Sequence, residues 1–240
     1  MLGIIPIKNF TQSIFDLVMP AKCLCCNSQV PQQGTICANC YTELKPIGNH
    51  KCYKCGLPFQ IDMGHKAICH DCTRYKPSYS MARAFCNYEG LGGKLASQLK
   101  FSDKTLLAPY MAKMMMIAGS GLLKKSDIIA PIPLHHSRKL KRKYNQSALL
   151  AKYLAEYSGL EYQPFLLKRT RNTKKQTTLK RNDRKKNMEN AFDASPHANE
   201  KRILLIDDVM TTGATMNAAS VALKRQGAKK ICALVFARVE

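Results

Sequence analysis

With 240 residues the chain can build one sizeable core and a smaller module beside it. Its formal charge of +22 points to polyanionic partners, either nucleic acid or polyphosphorylated small molecules. No apolar run approaches the roughly 18–20 residues of a membrane-spanning helix, and eleven cysteines without a secretory signal argue for metal rather than disulfides.

Residues 1–20 carry Ile4, Ile5, Phe10, Ile14, Phe15, Leu17 and Val18, interrupted by Lys8, Asn9, Gln12 and Asp16. There is no basic start and no small-residue cleavage site, so the segment reads as a short amphipathic helix and the chain is expected in the cytoplasm. Over 21–76 follow four C-x-x-C knuckles: Cys23/Cys26, Cys37/Cys40, Cys52/Cys55 and Cys69/Cys72. A two-residue gap lets both sulfurs reach one ion, and two knuckles complete a tetrahedron, so two structural zinc ions are expected. Sequential pairing gives two ribbons, Cys23–Cys40 and Cys52–Cys72; a cross-braced pairing of first with third and second with fourth knuckle stays open. Cys25 has the wrong spacing, and His50, His65 and His70 read as polar loop residues. Closed four-cysteine sites supply folding energy to a segment poor in core residues.

From residue 77 the pattern changes. M-A-R-A-F-C-N-Y, within 75–88, is strand-like, and Cys86 and Cys232 read as small buried hydrophobes. Helical patterns cover Leu91–Lys100 and Thr105–Ala118, the second ended by a Gly119-Ser120-Gly121 turn. In Ile128–Leu134 the prolines on either side of Ile132 stop a strand and leave a stiff loop at its carboxyl end, where ligands of open α/β sheets collect. His135–Gln146 is dense in cations. A helix is predicted over Gln146–Ser158 with Leu149, Leu150, Tyr153, Leu154 and Tyr157 on one face and Gly159 as its cap. Leu166–Asn187 is basic and without period, a loop or hairpin over the site. Between Arg138 and Asn187 stand 16 Lys/Arg against three acids, a net of +13. Tyr144, Tyr153, Tyr157 and Tyr162 are candidates for stacking on bases, although three of them fit helix or core positions better.

The most informative stretch is Ile203–Thr215, I-L-L-I-D-D-V-M-T-T-G-A-T. A buried strand over Ile203–Ile206 is expected to end at Asp207 and Asp208, followed by a hydroxyl-rich turn and a helix over Ala214–Gln226. The turn puts backbone N–H groups at a helix N-terminus, which favours a phosphate. The carboxylates repel that phosphate and suit sugar hydroxyls, or a divalent cation carried by the ligand. An ordinary βα turn is the bland alternative. Alternating strands and helices indicate a parallel sheet with crossovers, followed by a closing strand over Ile231–Ala237.

This stretch resembles the loop of type I phosphoribosyltransferases that binds phosphoribosyl pyrophosphate (PRPP). The resemblance implies that Asp207 and Asp208, as the catalytic pair, face the ribose hydroxyls. Val209 and Met210 would line the ligand, and Thr211, Thr212, Gly213, Ala214 and Thr215 would wrap its 5′-phosphate. The whole chain resembles the ComF/ComFC family. That likeness rests on the knuckles, A-P-I-P-L at 130–134, K-R-K-Y-N-Q at 141–146, Q-T-T-L at 176–179, R-K-K-N at 184–187, Ala191-Phe192 and the acidic loop. Lys143 and Tyr144 stand where the family has Gly and Phe. The implied fold is α/β: a type I phosphoribosyltransferase-like parallel sheet with helices on both faces over 77–240, preceded by a small zinc-ribbon module with four-cysteine sites.

The family resemblance also implies a role in natural transformation, acting on single-stranded DNA beside a helicase and recombination mediators. It puts Pro131, Ile132 and Arg142 near PRPP, and Lys141, Arg142, Lys143, Asn145, Gln146, Arg184 and Asn187 near phosphate or nucleic acid. Two functions remain open. One is a Mg-dependent phosphoribosyltransferase of unknown acceptor. The other is a non-catalytic module that senses PRPP or a nucleotide and binds single-stranded DNA.

Overall fold

The computed structural model describes residues 20–101, 104–134, 144–170 and 190–240. The helix expected over 1–20, the cations Lys141, Arg142, Lys143 and Arg184, and Asn187 lie outside those residues, except for Pro20. The chain divides into two compact units, Met1–Glu43 and Leu44–Glu240.

The first unit holds one cysteine hairpin. Lys22 and Gln29 pair antiparallel, the Leu24 N–H donates to the Thr35 carbonyl at 3.1 Å, and a short helix, α1 (Ala38–Glu43), closes it. The second unit begins with a hairpin of the same design. In both, the N–H of the first cysteine reaches across the turn at 2.7 Å, Cys23 to the Ser28 carbonyl and Cys52 to that of Leu57. Helix α2 (His70–Tyr75) follows the fourth knuckle's first cysteine.

The sheet of the second unit has five strands: β1 (Met81–Asn87), β2 (Ile128–Pro131), β3 (Glu161–Tyr162), β6 (Arg202–Met210) and β7 (Lys230–Arg238). Their order is β1-β7-β6-β2-β3, and each neighbouring pair is parallel. Two further strands, β4 (Leu167–Arg169) and β5 (Phe192–Ala194), form an antiparallel hairpin. That hairpin brackets the basic stretch; residues 171–189 lie outside the described ones. The helices are α3 (Leu91–Phe101), α4 (Leu107–Leu123), α5 (Gln146–Ser158) and α6 (Ala214–Arg225).

Side-chain alternation along the strands divides the core into two faces. Ile203 and Leu205 of β6, with Ile231, Ala233 and Val235 of β7, join Met216, Ala219 and Leu223 of α6 in one cluster. Phe192 of the β4–β5 hairpin belongs to it, and so do all four cysteines Cys52, Cys55, Cys69 and Cys72. The opposite face meets α4, where Gly119 packs on Leu234, and Phe85 lies 5.9 Å from Phe236. The second cysteine hairpin is thereby part of the sheet unit. Its Lys54 carbonyl accepts from the Ala82 N–H at 2.7 Å, and Arg83 donates to the Tyr53 carbonyl at 3.1 Å.

Two boundaries differ from the sequence reading. The Gly119-Ser120-Gly121 run does not end its helix, which continues to Leu123. A Cβ on Gly119 would stand 2.5 Å from Leu234, so glycine serves close helix-to-sheet packing here rather than a turn. Strand β6 does not stop at Ile206 but runs on to Met210. β7 is equally long and pairs with it as far as Met210↔Arg238, so the ladder continues past both aspartates. On α5 the buried stripe is Ser147, Leu150, Ala151, Leu154 and Ala155, while Leu149, Tyr153 and Tyr157 are half-buried.

Candidate ligand and metal sites

Asp207 and Asp208 stand side by side near the carboxyl end of β6, and two helices reach them. The Ser147 hydroxyl, in the first turn of α5, donates to Asp207 Oδ1 at 2.6 Å. The Asp208 N–H donates to the same oxygen at 3.0 Å. Lys100, near the end of α3, pairs with Asp208 Oδ2 at 3.1 Å, and Asp208 is buried. Burial, and then the neighbouring Asp208 carboxylate, push the Asp207 carboxyl up to about 7, although the Ser147 hydroxyl and Lys100 act against this. Neither Ser147 nor Lys100 belonged to the sequence-predicted site. Ser147 follows directly on the K-R-K-Y-N-Q run, the one local signal available; Lys100 carries none.

The loop after Met210 opens on α6. Gly213 is its N-cap with φ +77°, and a Cβ there would meet Met210 at 2.6 Å and the Tyr79 hydroxyl at 3.2 Å. Only glycine fits that conformation and that space. Thr211, Thr212, Ala214 and Thr215 are half-buried around it, and Thr212 Oγ1 accepts from the Ala214 N–H at 3.4 Å. This end of α6 is the positive pole of its helix dipole, which favours an anion.

The loop after β2 lies beside it. The Ile132 N–H donates to the Ile206 carbonyl at 2.9 Å, directly before the aspartates. Pro131 and Ile132 are buried. Asn145 holds this loop: its side chain accepts from the Ser147 N–H and donates to the Ile132 carbonyl, each at 3.1 Å. As the N-cap of α5 it sets both the Ser147 hydroxyl and the Pro131–Ile132 backbone. Gln146 is buried and donates to the Lys100 carbonyl at 3.4 Å. Val209 is half-buried and Met210 buried. Among the tyrosines, Tyr162 donates to the Ala148 carbonyl at 3.1 Å, Tyr144 to that of Leu99, and Tyr153 and Tyr157 lie 6.1 Å apart on α5.

The cysteines form two quartets, Cys23, Cys26, Cys37, Cys40 and Cys52, Cys55, Cys69, Cys72, so the pairing is sequential. Within each quartet the sulfurs all lie within 4.8 Å of one another. Zinc–sulfur bonds of about 2.3 Å require a tetrahedral edge of about 3.8 Å. The Cys26–Cys37 and Cys55–Cys69 separations are 3.6 and 3.7 Å, so both quartets fit the ion. N–H donors support the thiolates: Cys25 and Cys37 donate to Cys23 Sγ at 3.4 and 3.3 Å, and Cys55 and Cys69 to Cys52 Sγ at 3.5 and 3.3 Å. His50, His65 and His70 are exposed and outside both quartets.

Sequence comparison agrees with this architecture. Residues 14–73 match the double zinc ribbon domain and residues 145–240 the phosphoribosyl transferase domain. A phosphoribosyltransferase-type domain carrying a double zinc ribbon is thus the class of protein that the fold and cysteine sites define. Over 225 residues the chain is 30% identical to competence protein ComFC of Bacillus subtilis, covering 85% of this chain and 89% of that one. It is 29% identical over 220 residues to competence protein F of Haemophilus influenzae, covering 88% and 93% of the two chains. To the DNA utilization protein YhgH of Salmonella typhi it is 29% identical over 222 residues, covering 90% and 96%. The chain belongs to the ComF/ComFC family of competence proteins. No described helix is long and apolar enough to cross a membrane.

Elemental analysis should find about two zinc ions per chain by the ligand count. Cys52→Ser should leave about one and lower the unfolding temperature of the sheet unit, because that quartet is part of its core; an unchanged melt would contradict this. The raised Asp207 carboxyl has a stability consequence of definite sign. Between its ordinary value near 4 and about 7 the folded protein holds a proton that the unfolded chain has released, so stability falls as pH rises through that window. Asp207→Asn should therefore raise the unfolding temperature at pH 8, with the gain shrinking toward pH 5. Thermal melts of the zinc-loaded protein would show a pH-independent difference if the aspartate were not strained.

Proposed function

We propose that the chain binds PRPP at 207–215 and acts in natural transformation, in the cytoplasm, on incoming single-stranded DNA. The observation that carries the ligand reading is the arrangement at the end of β6. Two buttressed carboxylates stand immediately before a phosphate-accepting loop, at the carboxyl end of a parallel sheet. In this reading Asp207 and Asp208 accept hydrogen bonds from the ribose 2′- and 3′-hydroxyls. The N–H groups and hydroxyls of 211–215 hold the 5′-phosphate. The backbone after Ala130 faces the pyrophosphate in this reading, and the family resemblance adds Lys141, Arg142 and Lys143 to the phosphate-binding set. Magnesium carried by PRPP would supply charge neutralisation at the pyrophosphate.

The reaction class is displacement at ribose C1. The bond from C1 to the pyrophosphate oxygen breaks with its electron pair leaving on pyrophosphate, and an acceptor atom bonds to C1. The protein's part is to fix the ribose through the two aspartates and to meet the leaving group with positive charge. Ser147 and Lys100 act by positioning the aspartates.

A second reading, PRPP or nucleotide sensing coupled to single-stranded DNA binding without chemistry, draws on the uneven charge. A net of +13 lies between Arg138 and Asn187, beside the ligand loop in sequence. Arg184, Asn187, Asn145 and Gln146 belong to that stretch, and the competence helicase and recombination mediators would be its partners. Membership of a competence family supports both readings.

Calorimetry with PRPP and Mg²⁺ should give saturable binding, lost in Asp207→Asn and in Asp208→Asn while zinc content and fold persist. Unchanged affinity in either variant would sink the ligand assignment. Pyrophosphate release with a panel of bases, nucleosides and single-stranded DNA separates enzyme from sensor. Single-stranded DNA affinity should fall with salt by about 0.7 log unit per log unit of salt for each phosphate neutralised, and a flat response would reject DNA binding by the basic stretch.

A further inference from the structure

The turn at 211–213 is held between two anchors, the end of β6 and the first turn of α6. Contacts from the second cysteine hairpin reach both. We infer that the second quartet governs this turn: metal held by Cys52, Cys55, Cys69 and Cys72 and an anion bound at 211–215 stabilise one another, with Arg238 as the positioning residue that links them. The ligand half of the inference rests on reading 207–215 as a ribose-phosphate site, and the metal half stands without it.

The first anchor is the end of β6. Arg238 pairs with Met210 in the ladder, and the Val239 N–H donates to the Met210 carbonyl at 3.0 Å, directly before the turn. On the other side the Arg238 carbonyl accepts from the Tyr88 N–H at 2.7 Å. The Arg238 backbone is thus fixed between β1 and β6, while its side chain donates from Nη2 to Cys55 Sγ at 3.4 Å. The second anchor is α6. On the segment that leaves the fourth knuckle, the Ser78 N–H donates to Asn217 Oδ1 at 2.7 Å. Tyr79 follows, buried, with its hydroxyl 3.2 Å from where a Cβ on Gly213 would stand. The Ser80 N–H then donates to the Ile231 carbonyl of β7 at 2.7 Å. Both ends of the turn are therefore tied to the chain that builds the second quartet.

Charge makes the Arg238 link depend on the metal. The residue is only 5% exposed, and its Nε and Nη1 are buried without a hydrogen-bond partner among the described residues. A guanidinium buried without counter-charge is strongly unfavourable. Four thiolates held around zinc form a rigid group with a net charge of about −2, which compensates it. Without the ion the hairpin that presents Cys55 loses folding energy, and Arg238 loses a partner of fixed position. Coupling of this kind is reciprocal, so an anion that orders the turn must also tighten the metal. The first quartet supplies an internal control. Cys26 is exposed, its sulfur lies 3.1 Å from Ser28 Oγ, and the quartet belongs to the other compact unit.

The test follows zinc release to a chromogenic chelator from full-length, zinc-loaded protein, with and without PRPP and Mg²⁺. The exposed first quartet should release first, and Cys26→Ser, which disables that site, identifies the slower phase as the second quartet. Arg238→Gln should speed the slow phase by about tenfold or more and leave the fast phase within about twofold. Arg238→Lys, which keeps the charge but not the planar fork, should fall between them. Hydrogen exchange without ligand should rise at 211–217 by about fivefold or more in Arg238→Gln, and stay within about twofold at 147–158. In the unsubstituted protein PRPP should retard the slow phase by about fivefold or more, an effect lost in Arg238→Gln. An unchanged slow phase in Arg238→Gln overturns the inference, as does exchange that is unchanged at 211–217 or rises equally at 147–158. PRPP that binds by calorimetry yet leaves the slow phase unaltered overturns it too. If Arg238→Gln does not fold, Arg238→Lys decides by the same comparisons. Protein that binds no PRPP removes the ribose-phosphate reading and the ligand half with it, while zinc release and exchange still decide the metal half.

Discussion

Two carboxylates on adjacent residues of a central strand repel each other, and burial makes the repulsion costly. The surroundings of Asp207 and Asp208 are organised to offset it. Ser147 donates to one and Lys100 pairs with the other, and these groups come from two different helices. Asn145 caps the helix that carries Ser147 and ties the same turn to the loop after β2. The aspartates, the loop beside them and the starts of two crossovers are thus one hydrogen-bonded unit. Folding alone would favour apolar residues at these two positions, which marks the acidic pair as a candidate site.

The second metal centre has the same double character. Its cysteines share a core with α6 and with one face of the sheet, so an ion held there would stabilise far more than a hairpin. Through Arg238 it also reaches the end of β7, next to the residue that ends β6. The first quartet, with an equivalent knuckle geometry, belongs to the other compact unit. Of two ribbons alike in sequence, the second is a structural part of the sheet unit.

Local chemistry made much of this legible. Knuckle spacing gives the metal and the number of sites, because two sulfurs two residues apart can share one ion. The acidic pair before a Thr-Gly turn announces the strand–turn–helix unit, since strand, carboxylates and helix N-terminus are contiguous in the chain. Proline at 131 and 133 marks where β2 stops, and Gly159 the end of α5. Where local rules misled, a distant partner was responsible. Gly119 looked like a helix stop, but its missing side chain makes room for Leu234 on β7. The aspartates looked like the end of a strand, but β7 keeps pairing past them.

The sequence by itself determined the two four-cysteine sites, the parallel α/β domain and the family, since each rests on motifs legible in the chain. Tertiary structure alone decided that the knuckles pair in sequence. It decided too that Ser147 and Lys100 hold the aspartates, that the second quartet is buried against the sheet, and that Arg238 joins it to the end of β7. Those contacts link residues some 60, 108 and 183 positions apart. No local periodicity encodes them; they exist only because the sheet order β1-β7-β6-β2-β3 brings those elements together.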